Sequence, residues 1–199
     1  MRKRDMCGRY YTDRNMRAET EKLVHHLKWS TETERTGDIL PSRPAAVLRG
    51  GENGLVAEEM LWGFSRFEGN GLIINARAET ALERRTFRES VRRRRCVIPA
   101  RGFYEWNAVR EKFSYERRGG AVLFMAGCYQ MYQGRNRFVI LTTEANASVR
   151  DVHDRMPLVL EPEELESWVL DDLAAEGILR RVPALLRVHA DYEQMSLFE

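Results

Sequence analysis

The chain has 199 residues and a formal net charge of +2, with 43% hydrophobic and 31% charged residues. This length and composition predict a single globular domain and argue against a disordered or fibrous chain. No run approaches the ~18 consecutive apolar residues of a membrane span, and the basic start is not followed by the apolar stretch of a signal peptide. We therefore expect a cytoplasmic protein.

The cysteine and arginine contents indicate which ligands this protein is suited to bind. Cys7, Cys96 and Cys128 are widely spaced and form no Cys-x-x-Cys pair. This pattern predicts neither a disulfide framework nor a structural zinc site, so we expect no metal and no cofactor. Arginine supplies 28 of the 32 basic residues. Guanidinium groups suit phosphate oxygens and stack on bases, although arginine usage also follows genomic base composition.

The hydrophobic pattern predicts many short strands and a few helices. Predicted strands cover residues 7–12, 45–49, 55–62, 72–74, 96–98, 112–116, 121–129, 137–143, 156–160 and 183–190. Predicted helices cover residues 13–28, 79–94, 162–170 and 172–180. The strands between 112 and 143 form an antiparallel meander around glycine-containing turns. These elements predict one α+β domain.

The segments between these elements read as turns, loops and tails. We expect residues 1–6 to be an extension that is removed or not translated, which would leave residues 7–199 as the domain. His25 and His26 are expected on the surface of the first helix. Predicted loops and tails comprise residues 30–38, 41–44, 65–71, 144–155 and 192–199.

Cys7 can offer two nucleophiles because it lies so close to the amino end. Its thiol and, if it becomes the first residue, its α-amine have pKa values near ~8.5 and ~8 in model peptides, so both are partly reactive at neutral pH. The alternative is a small thiol buried in the first strand.

Asn75 and Arg77 stand two residues apart, so on an extended backbone their side chains point the same way. An amide beside a guanidinium forms a pair of hydrogen-bond donors for a carbonyl or phosphate oxygen. The alternative is a salt bridge from Arg77 to Glu79, with Asn75 capping the next helix.

Two further segments carry groups suited to acid–base chemistry. Glu105 lies between aromatic neighbours, where a carboxylate either points to water or has its pKa raised into a useful range. His153 is followed by Asp154 in a polar loop, where functional residues concentrate, although a structural histidine is the alternative.

Taken together, the amino-acid sequences of these segments and their order along the chain resemble those of a known family. The matching segments are Met6-Cys7-Gly8-Arg9-Tyr10, Trp62-Gly63-Phe64, Ile74-Asn75-Ala76-Arg77-Ala78-Glu79-Thr80, Gly102-Phe103-Tyr104-Glu105-Trp106 and Val152-His153-Asp154-Arg155-Met156-Pro157-Leu158-Val159-Leu160. They resemble the SRAP (SOS response-associated peptidase) family of abasic-site processing proteins. The Pro41-Ser42 and Ser65-Arg66-Phe67 segments differ from the residues that are usual at these places in the family.

The resemblance implies a single-domain α+β fold of mainly antiparallel, curved, barrel-like sheets with flanking helices. It implies a DNA-damage function in which single-stranded DNA with an abasic site is the partner. It also implies an enzyme with crosslinking or lyase-type activity and N-terminal autoproteolysis. The protein is then a monomer that associates with the nucleoid when bound to DNA.

The resemblance also implies residue roles. Cys7, as the amino terminus, forms a thiazolidine crosslink to the abasic sugar, and Asn75, Glu105 and His153 complete the catalytic set. The residues expected to bind DNA are Arg9, Arg77, Arg155, Trp62 and Phe64. For Trp62 and Phe64, packing in the core is the alternative to stacking on bases.

Two other functions compete with this interpretation. One is a thiol peptidase that uses Cys7 with Glu105 and His153. The other is a non-catalytic module that binds single-stranded nucleic acid through arginines and aromatic rings alone.

Overall fold

A computed structural model describes residues 8–24, 27–29, 35–66 and 71–191 of the chain. The strands are β1 (Tyr10–Thr12), β2 (Lys28–Trp29), β3 (Gly37–Ile39), β4 (Pro44–Gly51), β5 (Gly54–Trp62), β6 (Phe64–Ser65), β7 (Leu72–Ile73), β8 (Asn75–Arg77), β9 (Arg95–Ala100), β10 (Gly102–Trp106), β11 (Lys112–Glu116), β12 (Leu123–Tyr132), β13 (Arg135–Glu144), β14 (Arg155–Pro157), β15 (Val159–Leu160) and β16 (Arg187–Asp191). The helices are α1 (Met16–Leu23), α2 (Ala78–Ala81), α3 (Arg88–Arg93), α4 (Leu165–Leu170) and α5 (Asp172–Ile178), with a 3₁₀ turn at Pro162–Glu164.

Five strands close into a barrel. β13, β12, β9, β4 and β5 are hydrogen-bonded in that order, and each of these neighbouring pairs is antiparallel. β13 also pairs in parallel with β5, with Phe138 opposite Trp62, and this pairing completes the ring. Closure leaves the ring without a free edge. β8 adds to β13 in parallel, which places Asn75 opposite Ile140 at the rim of the barrel.

A second sheet holds the N-terminal strand. Its order is β16-β11-β10-β1-β3, and every pair is antiparallel. β1 is therefore an inner strand of this sheet, with Tyr10 opposite both Phe103 and Ile39. The strand that begins three residues after Cys7 is thus held by hydrogen bonds from strands on both sides.

Two hydrophobic clusters form the core. One packs the helices against the barrel strands, and Trp168 of α4 is fully buried in it. The other joins barrel residues such as Trp62 and Phe138 to Tyr10 and Phe103 of the second sheet. The two sheets therefore pack on each other through aromatic residues, which bury large apolar areas.

The predicted fold class is confirmed, and β12 and β13 form an antiparallel pair as predicted. The predicted meander is wrong in its first step, because β11 pairs with β10 and β16 in the second sheet and not with β12. The predicted helix over 79–94 is wrong, because the chain turns between α2 and α3. In that turn the backbone N–H of Phe87 bonds the carbonyl of Arg84, and the Phe87 ring packs 6.2 Å from that of Phe64. Burying this ring under the β6–β7 hairpin breaks the helical periodicity.

The first helix is also shorter than predicted. The Asp13 carboxylate accepts hydrogen bonds of 3.0 Å from the backbone N–H groups of Asn15 and Met16, and the helix begins only at Met16. Val24 is extended and ends it. The predicted strand 156–160 is divided into β14 and β15, and the last strand starts at Arg187 rather than at residue 183.

Some predictions lie outside the described residues. These are the extension 1–6, Cys7, His25 and His26, parts of the loops at 30–34 and 67–70, and the tail 192–199. Among the helices that the structure describes, none has both the length and the apolar character needed to cross a membrane.

Candidate active site

The pairing of β1 with β10 aligns the amino end with the Glu105 segment. The backbone N–H of Tyr104 donates to the carbonyl of Arg9 at 3.1 Å, so the pairing continues beyond the start of β1. The same antiparallel register, extended by one residue, places Gly8 opposite Glu105. A methyl group placed on Gly8 would contact Cδ1 of Ile74 at 4.0 Å. The residue after Cys7 therefore lies between the β8 and β10 segments.

Glu105 is a buried carboxylate, only 3% exposed. Alternation along β10 puts its side chain on the same side as Phe103, toward the core, while Tyr104 and Trp106 point to the other face. Burial and the charge of Glu105 raise the pKa of Tyr115, which lies on the neighbouring strand β11. Of the two alternatives weighed from the sequence, a water-facing Glu105 is wrong. Burial of an ionisable group is the arrangement that tunes acid–base residues.

Asn75 and Arg77 share one side of β8. Between them Ala76 is buried, whereas Arg77 is exposed, which is the alternation expected of a strand. The alternative salt bridge from Arg77 to Glu79 does not form, because Glu79 pairs with Arg155 instead. Nor does Asn75 cap the helix: the N-cap of α2 is Arg77, and it lacks a side-chain cap hydrogen bond.

His153 is held in a defined orientation by the backbone. Its Nδ1 accepts a hydrogen bond from the N–H of Arg155 at 3.1 Å, and its side chain is only 8% exposed. An acceptor role for Nδ1 puts the proton of the neutral ring on Nε2. The Asp154 carboxylate lies 3.1 Å from the same Nδ1 but is 86% exposed. The fixed backbone donor, rather than this solvated carboxylate, therefore determines the tautomer.

Three residues expected to contact DNA are placed elsewhere. Trp62 and Phe64 are fully buried, so the prediction that they stack on bases is wrong and the core-packing alternative holds. The indole of Trp62 donates to the carbonyl of Ile74 at 3.0 Å. The guanidinium of Arg155 is buried and forms two bonds of 2.7 Å to Glu79, so it is committed to an internal ion pair rather than to phosphate.

Arg9 lies at the surface beside Trp106, an aromatic residue that was not among the predicted DNA contacts. Its guanidinium is 5.6 Å from the centre of the Trp106 ring and 3.3 Å from the Asp38 carboxylate. Trp106 is only partly buried, on the face of the second sheet opposite to Glu105. The alternation of side chains along the Gly102–Trp106 strand could have shown from the sequence that Trp106 and Glu105 lie on opposite faces of the sheet.

The other two cysteines are poor nucleophiles. Cys96 and Cys128 are completely buried, and burial raises the pKa of Cys96 well above its ordinary value and that of Cys128 to about 12. Neither thiol ionises appreciably at neutral pH. Within the described ranges, no three His, Cys, Asp or Glu side chains are grouped so that they could hold a metal ion.

The fold and the site together define a class of protein: a small α+β protein with a closed five-stranded barrel, whose N-terminal strand runs beside a buried carboxylate. The family model described as "SOS response associated peptidase (SRAP)" matches residues 6–195. The chain belongs to the SRAP family.

Curated relatives are similar over most of the chain. The abasic site processing protein YoaM of Bacillus subtilis is 31% identical over 153 residues, which cover 69% of this chain and 67% of that protein. The abasic site processing protein YoqW of Bacillus subtilis is 28% identical over 184 residues, covering 82% of this chain and 80% of the relative. The abasic site processing protein YedK of Escherichia coli is 26% identical over 183 residues, covering 86% and 82%.

Solved structures share the fold. A protein from Bacteroides thetaiotaomicron superposes with a TM-score of 0.78 at 18% identity, covering 94% of this chain and 93% of that one. A protein from Bordetella bronchiseptica gives a TM-score of 0.77 at 23% identity, with coverage of 92% and 99%. At these identities the likeness concerns the fold alone.

Proposed function

We propose that this protein senses and processes abasic sites in single-stranded DNA by forming a covalent crosslink through Cys7 as its N-terminal residue. The observation that carries the proposal is the buried Glu105 carboxylate, which the register of β1 and β10 sets opposite the residue after Cys7. The family model spans this segment, since it begins at residue 6. The relatives' names as abasic site processing proteins support the same substrate.

The chemistry follows from two nucleophiles on one residue. The abasic deoxyribose opens to an aldehyde, and the neutral α-amine of Cys7 adds to its carbonyl carbon. Loss of water gives a Schiff base. The thiol sulfur then adds to the imine carbon while the thiol proton passes to the nitrogen, which closes a five-membered thiazolidine. Because amine and thiol belong to the same residue, the second addition is intramolecular and gains from proximity.

The neighbouring side chains supply proton transfer and orientation. Glu105 takes a proton from the attacking amine and returns it to the hydroxyl that leaves as water. The Nε2–H of His153 donates a hydrogen bond to the sugar ring oxygen and stabilises the negative charge that develops there as the ring opens. The Asn75 amide holds Cys7 or the open-chain sugar. These roles rest on the burial of Glu105, the fixed tautomer of His153 and the position of Asn75 at the barrel rim.

Two arginines are proposed to hold the DNA backbone. Arg77 is exposed, and among the described residues it has no carboxylate partner in an ion pair. Arg9 is partly exposed next to Trp106. Guanidinium groups suit phosphate oxygens, and the indole ring suits stacking on a base. Because Arg9 and Trp106 lie on the face of the sheet opposite to Glu105, they would hold DNA away from the reacting sugar.

The α-amine of Cys7 must first be released. An amide nitrogen cannot form a Schiff base, so residues 1–6 must be absent from the active protein. This happens if translation starts at Met6 and that methionine is removed, or if the bond between Met6 and Cys7 is cut. Self-cleavage of that bond is the second candidate function, and the family's description as a peptidase favours it.

A denaturing gel tests the proposal. The protein is incubated with single-stranded DNA that carries one abasic site, and we expect a shifted covalent band. Cys7→Ala should abolish this stable band. Cys7→Ser keeps the amine without the thiol, so it should give a band only when the Schiff base is trapped with borohydride. A full-strength, untrapped band from either variant would refute the thiazolidine.

The same assay separates the competing functions. Turnover of a peptide by the wild-type protein without any DNA band would favour the peptidase. Salt-sensitive binding of DNA without either activity would favour a non-catalytic module. Undamaged DNA of the same sequence is the negative control, because it offers no aldehyde.

A further inference from the structure

One ion pair joins the two segments that carry Asn75 and His153. The guanidinium of Arg155 donates to both carboxylate oxygens of Glu79, each at 2.7 Å. Glu79 lies in α2, four residues after Asn75, and Arg155 is the first residue of β14, two residues after His153. The pair therefore connects parts of the proposed catalytic set that are far apart in the chain.

Strand β13 fixes both members of this pair. It lies between β8 and β14, and its Thr142 carbonyl accepts a further hydrogen bond of 2.7 Å from the buried guanidinium of Arg155. The hydroxyl of Thr143, which is also buried, donates to Oε1 of Glu79 at 3.3 Å. A two-fold bond between a guanidinium and a carboxylate is strongly directional. The orientation of the Arg155 side chain is therefore set by its partners on two strands and a helix.

The same arginine holds the ring of His153 through its backbone. The N–H of Arg155 donates to Nδ1 of His153 at 3.1 Å. The direction of this N–H and the direction of the Arg155 side chain are set at one α-carbon. A change in the partner of the guanidinium is therefore transmitted to the group that determines the tautomer of His153.

Loss of the Glu79 charge would disturb this arrangement. A buried guanidinium without a counter-charge is unfavourable, so Arg155 would turn toward another acceptor or toward water. Its N–H would then no longer be held against Nδ1 of His153, and the neutral ring could carry its proton on either nitrogen. Only the tautomer with the proton on Nε2 can donate from that atom to the sugar.

We propose that Glu79 is a positioning residue, which acts through Arg155 to keep the His153 ring in the tautomer and orientation that present Nε2–H to the substrate. The proposal rests on the proposed function for the task of His153. Glu79 itself contacts no reacting atom in this scheme. Helix α2 then contributes to the site from outside it, through one carboxylate.

Nuclear magnetic resonance tests the ring of His153 without any reaction. Nitrogen–proton correlation spectra of the DNA-free protein show which ring nitrogen carries the proton, at a pH where the ring is neutral. The signals of His153 are those that disappear in His153→Gln. We expect the wild type to show the tautomer with the proton on Nε2, and Glu79→Gln to show a mixture of the two tautomers.

The crosslinking rate tests whether Glu79 acts through His153. In single-turnover assays on abasic DNA, Glu79→Gln should be slower than the wild type by about 10–10²-fold, as expected for a misplaced group. In a His153→Gln protein the same substitution should have no further effect, because the residue through which it acts is missing. Thr143→Val removes one hydrogen bond to Glu79 and keeps both charges, so it should give a smaller decrease. It carries the test if melting curves show that Glu79→Gln is unfolded.

Glu164→Gln is the matched control. Glu164 lies in the 3₁₀ turn before α4 and pairs with Arg181 at 2.6 Å, and Arg181 also donates to the carbonyl of Val159 at 2.7 Å. This variant likewise leaves an arginine without its carboxylate, but not beside His153. We expect it to keep the wild-type crosslinking rate and the wild-type signals of the His153 ring.

Two results would overturn the positioning role. One is a Glu79→Gln protein whose His153 ring keeps the wild-type tautomer. The other is an equal slowing by Glu79→Gln in the wild-type and His153→Gln proteins, because an effect that does not need His153 is not transmitted through it. Failure of the proposed function has a different signature: the wild-type protein would not crosslink to abasic DNA, while the spectra would still show whether Glu79 sets the tautomer.

Discussion

Glu105 is a carboxylate whose immediate neighbours in the sequence, Tyr104 and Trp106, point to the opposite face of their strand. Its own side chain turns into the core. In the proposed mechanism, the amine of Cys7 reacts beside this carboxylate rather than in bulk solvent. This position is where we expect the largest effect of a single substitution.

Glu105→Gln keeps the shape of the side chain but removes its ability to exchange a proton. We expect crosslinking to abasic DNA to slow by about 10²–10⁴-fold, the usual contribution of a general acid or base. Single-turnover kinetics on denaturing gels measure the rate. Glu111→Gln is the matched control, because Glu111 is an exposed carboxylate bonded only locally to Asn107. A wild-type rate in Glu105→Gln would remove Glu105 from the mechanism.

The pair of Glu79 and Arg155 makes stability depend on pH. Partial burial by itself raises the pKa of Glu79, but the hydrogen bonds and charge of Arg155 outweigh it, and the pKa is lowered overall. A folded-state pKa below the unfolded value gives stability that is complete above the ordinary glutamate pKa of about 4.3 and is lost as the pH falls through the lowered value.

Urea unfolding of the wild type and of Glu79→Gln measures this contribution. The free energy of unfolding of the variant should be lower at pH 7, because Arg155 is left buried without its counter-charge. The difference between the two proteins should shrink as the pH falls through the lowered pKa of Glu79, because Glu79 then becomes protonated in the wild type as well. A difference that is constant over this range would contradict the assignment.

Strand β10 joins the two halves of the candidate site at the scale of secondary structure. It bonds β1 on one side and β11 on the other, so the amino end and the Tyr115 strand are both aligned on Glu105. At its first residue the three strands approach closely: a methyl group on Gly102 would lie 2.4 Å from the carbonyl oxygen of Tyr115 and 2.6 Å from the hydroxyl of Tyr11. Only a residue without a side chain fits between them.

Gly102→Ala should therefore shift β10 and destabilise the fold by about 1–3 kcal/mol, the range for overpacked sites. Crosslinking should fall as well, since Glu105 lies on the displaced strand. Gly177→Ala is the control: nothing lies within 4 Å of the added methyl group in helix α5. Alanine there should raise stability by about 0.5–1 kcal/mol. Thermal melts and the crosslinking rate compare the two variants. A Gly102→Ala protein as stable as the wild type would show that β10 can accommodate a methyl group at this position.

For the whole molecule, the proposed activity depends on what precedes residue 7. The pairing of β1 and the hydrogen bond from the N–H of Tyr104 to the carbonyl of Arg9 hold this part of the chain beside β10, the strand of Glu105. A chain that keeps residues 1–6 has no α-amine at Cys7. Folding and reactivity are therefore separate properties of this protein.

Intact-mass measurement tests this separation. We expect a sample that crosslinks to abasic DNA to have a mass corresponding to residues 7–199. A sample that retains residues 1–6 should melt at a similar temperature but form no crosslink. Crosslinking by a protein whose mass includes residues 1–6 would refute the mechanism, because the nitrogen of Cys7 would then be part of a peptide bond.

Much of this protein was determined by the sequence itself. The turn residues and alternation that predict β11, β12 and β13 act over neighbouring residues, and these strands form as predicted. The order of the Asn75, Glu105 and His153 segments identified the family, which the match over residues 6–195 confirms. Local chemistry was enough for these conclusions, because the information lies within a few consecutive residues.

Tertiary structure decided the direction in which the side chains point. Trp62, Phe64 and Arg155 belong to the segments that identify the family. Yet the closure of the barrel buries the rings of Trp62 and Phe64, and the guanidinium of Arg155 forms an ion pair with Glu79. The burial of Glu105 likewise depends on strands that are distant in the chain. Burial and pairing are set by these long-range contacts, which the local pattern of residues does not contain.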